Sequence, residues 1–127
     1  MKANELRIGN WINDNGYNSI IGVIDSHYHA IQISGSPRMI ALETIEPIPL
    51  TEEWLIKFGF DLQTDDEDEP DNLCKTYWSN DKLDYINYDS KENEFIIMGY
   101  SLGIKIYFIH QLQNIYFVLT GEELTIS

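Results

Sequence analysis

Two prolines set two residues apart, Pro47 and Pro49, constrain this chain more than any other feature. Proline removes a ladder or helix donor and holds the residue before it in extended geometry, so regular structure does not run through 46–50. The two sides differ in pattern. Upstream, short apolar stretches alternate and are punctuated by turn residues, whereas downstream a helix signal begins at once.

Leu6, Ile8, Asn10 and Ile12 alternate with Arg7, Gly9 and Trp11, which reads as a strand. Asn13-Asp14-Asn15-Gly16 supplies turn chemistry, and residues 19–25 read as the returning strand. Residues 29–34 and 39–45 follow, separated by Gly35-Ser36-Pro37. Four or five short strands, with glycines where a strongly bent strand needs them, predict a small SH3-like β-barrel over residues 1–50.

Past the prolines, Thr51 can cap a helix, Glu52 and Glu53 sit where the dipole favours anions, and Gly59 suits the left-handed position after the last turn. The spacing predicts a short helix over 51–58. Asp61, Asp65, Asp66, Glu67, Asp68, Glu69 and Asp71 then repel one another and predict a solvated loop. Residues 74–79, 83–88 and 94–99 read as an antiparallel meander with turns at Asn80-Asp81 and 89–93, and 104–108 as a further strand. Leu112, Ile115, Tyr116 and Leu119 fall at helical spacing before Gly121, so 109–120 is a closing helix. The expectation is an α+β chain in which residues 51–127 pack against the barrel of residues 1–50 as one compact unit, unfolding in a single transition.

The length of 127 residues suits one domain, and 43% apolar with 13% aromatic residues supports packing over disorder. No apolar run approaches the roughly 20 residues of a membrane span, and the opening ten residues lack the pattern of a secretory or transit signal. A single cysteine, Cys74, forms no internal disulfide and has no repeated Cys or His spacing around it. A cytoplasmic location is expected. The net charge of −13 repels a phosphate backbone, which argues against duplex nucleic acid as a partner.

Chemistry-bearing residues are few. His27 and His29, with Asp25, fall on one face if 25–29 is strand, which makes a metal pair geometrically feasible but specifies no third ligand. The acidic loop lacks the twelve-residue calcium order and its central glycine. There is no serine elbow, no glycine-rich phosphate cradle and no cofactor fingerprint, so neither a catalytic set nor a cofactor is assigned. Tyr77, Trp78, Tyr85 and Tyr88 can stack a base or simply stabilise the meander. His110 shares a helix face with Gln113, Asn114 and Phe117, away from the apolar stripe, and that face is either a ligand wall or a set of loop contacts.

Three stretches carry a resemblance: ELRIGNW at 5–11, EPIPLTEEWLIKFGF at 46–60 and HQLQNIYFVLTGEEL at 110–124. Together they resemble a family of small uncharacterised proteins from gut-type bacteria and their phages, with 13–36 and 61–91 outside the match. The resemblance implies a phage-associated protein with an anti-defence role, acting by binding a host molecule rather than by catalysis. One such mode is sequestration of a small host signal such as a nucleotide, for which Arg7, Arg38, Trp78, His110, Gln113 and Asn114 are the expected ligand-binding residues, lining a groove between the halves. The alternatives are an acidic protein that occludes a host protein, as a DNA mimic, and a hydrolase using its histidines.

Overall fold

Asn15 and Gly16 make the first tight reversal. Both have positive φ, 49° and 93°, which defines the mirror-image two-residue turn whose twist matches that of paired strands. It joins β1 (Trp11–Asp14) to β2 (Tyr17–Asp25), with Asp14 opposite Tyr17 and Trp11 opposite Ile20. The computed structural model describes residues 1–62, 72–79, 82–89, 94–97 and 100–126, with side chains described within 1–60 and 105–126.

Strand β1 begins later than the alternation predicts. Residues 7–10 form a turn in which the Asn10 amide donates to the Arg7 carbonyl at 3.1 Å and the Asn10 side-chain oxygen accepts from the Arg7 amide at 2.7 Å. The alternating pattern holds only at its two ends and at Asn10: Leu6 and Ile12 enter one core and Asn10 is fully buried, while the turn leaves Ile8 exposed. Ahead of this turn, residues Ala3–Glu5 form a single 3₁₀ turn.

Strand β2 changes partner halfway. Its first half pairs with β1, and its second half pairs with β3 (Ala30–Ile33), with a register shift between Ile21 and Val23. Gly22 sits at that shift, where a Cβ would stand 2.9 Å from the Ser34 Cα, so the approach of the two backbones excludes a side chain. Strands β4 (Met39–Ala41) and β5 (Ile45–Glu46) follow, joined through a 3₁₀ turn over Leu42–Thr44. The sheet order is β4-β3-β2-β1-β5, entirely antiparallel. Among the described residues no pairing joins β4 to β5, so the sheet stays open rather than closing into the expected barrel. Edges of three and two residues offer little ladder with which to close it. Leu6, Ile12, Ile21, Ile31, Ile40, Leu42 and Ile45 form its core.

Helix α1 (Glu52–Lys57) starts where the sequence places it, the Thr51 hydroxyl accepting from the Trp54 amide at 3.3 Å. A second antiparallel sheet has the order β10-β9-β8-β7-β6, built from β6 (Asp61–Leu62), β7 (Asn72–Ser79), β8 (Lys82–Asp89), β9 (Glu94–Ile97) and β10 (Tyr100–Lys105). Asp61 therefore belongs to a strand paired opposite Cys74, where the sequence reading began the acidic loop. Residues 65–71 of that loop and the turn at Asn80-Asp81 lie outside the described residues, as does 90–93. Asp89 is the last residue of β8.

Helix α2 (Ile109–Thr120) closes the fold. Gln111 caps its start by accepting the Tyr107 and Phe108 amides at 3.0 and 3.1 Å, and Gly121, at φ 74°, ends it in the left-handed region. Leu112 and Tyr116 pack with Ile48, Leu55, Phe58, Phe60, Ile106 and Leu124 in a second core, against which Trp11 of β1 also rests. α2 lies against both β1 and β7, so it touches both sheets.

Candidate functional site

The polar face of α2 meets the N-terminal turn. Asn10 and Gln113 are both essentially inaccessible, and a buried amide is tolerable only where its donors and acceptors are met. Here they meet each other. The Asn10 side-chain nitrogen donates to Asn114 Oδ1 at 2.8 Å and, more weakly, to Gln113 Oε1 at 3.4 Å. Gln113 Oε1 accepts the Trp11 amide at 2.8 Å, while its nitrogen donates to the Gly9 carbonyl at 3.1 Å. Asn114 Nδ2 donates to the Glu5 carbonyl at 3.0 Å. Residues more than one hundred positions apart are thereby clasped.

Arg7 completes this clasp. Its guanidinium pairs with both carboxylate oxygens of Glu123, its Nε donates to Asn114 Oδ1 at 3.2 Å, and its Nη2 donates to the Gln113 carbonyl at 3.3 Å. Its flat face lies over Phe117, 4.4 Å from the ring centre. The donors expected to receive a phosphate are therefore engaged within the chain. Gln113 and Asn114 are engaged in the same way, and both help to hold the N-terminal turn on α2.

His110 stands apart from the clasp. It is 4% exposed, its ring stacks on Phe108 at 6.0 Å between centres and 15° between planes, and its Nδ1 is buried without a hydrogen-bond partner among the described residues. Burial pushes its pKa below the ordinary histidine value, outweighing the opposite pull of the Glu5 carboxylate. The imidazole is neutral at pH 7. It lines a groove of about 590 Å³ between the Ala3–Glu5 turn and α2, with Asn4, Glu5, Gln111, Asn114 and Val118 among the other walls. A buried, uncharged imidazole with an unpartnered Nδ1, beside a carboxylate, the exposed Asn4 amide, the Gln111 amide nitrogen and an apolar wall, can hold a small polar ligand by hydrogen bonds.

The other expected residues are dispersed. Arg38 is exposed in the connection between β3 and β4, its amide donating to the Ser36 hydroxyl, and its guanidinium has no partner among the described residues. Trp78 stands in β7 opposite Leu83, and its side chain lies outside the described part. His27 and His29 occupy the turn between β2 and β3, where the Asp25 carboxylate accepts the His27 and Tyr28 amides at 3.0 and 3.2 Å and His29 has φ 51°. They are not on a strand face with Asp25. Among the described residues no three metal-binding side chains gather, and no helix is long and apolar enough to cross a membrane.

Asn10, Glu5 and Glu123 were not singled out by the sequence reading. Asn10 did leave a trace, as the one polar residue in the apolar phase of Leu6, Ile8 and Ile12. Glu5 and Glu123 leave none, since their roles depend on contacts with far parts of the chain. Comparison with protein-family models, curated proteins and solved structures yields no match.

Proposed function

We propose that this chain is a non-enzymatic binding protein that takes a small host molecule in the groove between its N-terminal turn and α2. The observation that carries the reading is His110, buried and uncharged, with Nδ1 unpaired, in the wall of an open groove large enough for a metabolite. Leaving a buried polar atom unpaired costs about 1–3 kcal/mol, a cost that persists where the residue serves a ligand. The phage association and anti-defence role implied by the resemblance belong to this proposal. So does the finer fold reading: the order β4-β3-β2-β1-β5, with a 3₁₀ turn before β5, supports an open variant of the SH3-like barrel.

Purification from phage-infected cells, followed by denaturation and mass spectrometry of what is released, tests the reading. The wild-type protein releases a small molecule near stoichiometry, and a folded His110→Phe variant releases little. No released species, or equal release from both, contradicts it.

Occlusion of a host protein is the second reading, supported by Val118, 79% exposed at the rim of the groove, together with the acidic surface expected at −13. A co-purified host protein with no small molecule selects it.

A further inference from the structure

Resting on the proposed binding role, we infer that the groove reads the uncharged donor–acceptor edge of an amino-substituted heterocycle, such as a nucleobase, and not a phosphate. The Glu5 carboxylate takes no hydrogen bond among the described residues and is an acceptor only. Gln111 has spent its oxygen on the Tyr107 and Phe108 amides, which leaves its NH₂ group to donate. His110 is neutral and carries one N–H. Its Nδ1, the atom without a partner among the described residues, either accepts through a lone pair or donates that N–H.

The groove thus presents a charged acceptor in Glu5 and a donor in the Gln111 NH₂ group, with the His110 Nδ1 and the Asn4 amide able to serve either way, beside the apolar side chains of Phe108, Ile115 and Val118. A phosphate would satisfy the donors but bring like charge to Glu5, and the nearby Arg7 is already held by Glu123 and Phe117. A simple ammonium would satisfy Glu5 yet leave the Gln111 NH₂ group without an acceptor. An amino-heterocycle meets both needs, with its amino N–H on Glu5, its ring nitrogen or carbonyl on the donors, and its flat face on the apolar wall. The open groove, of about 590 Å³, has room for a molecule of nucleoside size.

The test titrates adenosine and guanosine, each against its 5′-monophosphate, while following the His110 imidazole and Gln111 side-chain resonances by NMR. At least one nucleoside shifts both sets saturably and binds at least tenfold more tightly than its monophosphate. The exposed, isosteric change Glu5→Gln weakens nucleoside binding about tenfold or more, the loss expected for a hydrogen bond to a charged group, and narrows the gap to the monophosphate. A monophosphate that binds as well as its nucleoside overturns the assignment, as does a Glu5→Gln variant with unchanged nucleoside affinity. In either case the groove still holds a ligand and only its class is wrong. If neither nucleoside nor nucleotide moves His110, the heterocycle class falls outright, and release on denaturation decides separately whether the groove is a site.

Discussion

Replacing Asn10 with alanine deletes a fully buried side chain that accepts from the Arg7 amide and donates to Asn114. The part-buried groups left behind lose their partners, so Asn10→Ala is expected to cost about 1–3 kcal/mol in urea denaturation. Gln113→Ala should cost a similar amount, and the double variant less than the sum, because both belong to one network. His110 makes a different prediction. Its native pKa lies below the unfolded value of roughly 6.5, so as pH falls past that value the unfolded chain takes up a proton that the folded chain refuses. Stability due to His110 is intact above about pH 6.5 and declines below it, until the native pKa is reached. The difference in stability between wild type and His110→Phe, followed from pH 8 to 5, should show this slope; a flat difference would mean that the native imidazole titrates normally.

At the scale of elements, β2 depends on Gly22. An alanine Cβ would meet the Ser34 backbone at 2.9 Å, a contact no rotamer can relieve, so Gly22→Ala should lower stability by about 1–3 kcal/mol through the β2–β3 pairing. An unchanged urea midpoint would show that the two strands separate freely there. Much of this layer was legible in sequence, because its determinants are local. Asn15-Gly16 specifies its turn, Thr51 and Gly59 bracket α1, and the spacing from Leu112 to Leu119 with Gly121 defines α2 to the residue. The start of β1 was not legible, since a turn at 7–10 buries Leu6 and Ile12 as a strand would, and only the exposure of Ile8 tells the two apart. Barrel closure was not legible either, because it depends on whether two short edges meet. The pairing of β6 with β7 likewise depends on a strand ten residues further on.

For the molecule as a whole, the clasp of Arg7, Asn10, Gln113, Asn114 and Glu123 ties the first sheet to the last helix, while Trp11 rests on the second core. Unfolding either end exposes the other, so calorimetry should record one transition in the wild type, whereas two resolved transitions would show that the clasp does not couple them. The same commitments explain why the candidate site was only half visible beforehand. His110 and Asn114 were identified from their shared helix face and do line one groove, but Arg7 was read as a free cation because its partner lies 116 positions away. The central claim is that the groove around His110 holds a ligand, and the chain provides its own controls in His27 and His29, which lie in an exposed turn. The direct measurement is the imidazole nitrogen spectrum of protein as isolated from infected cells, compared with the same protein refolded free of small molecules. The account predicts that His110 alone shifts between the two samples while His27 and His29 stay fixed; three histidines with the same resonances in both would contradict it.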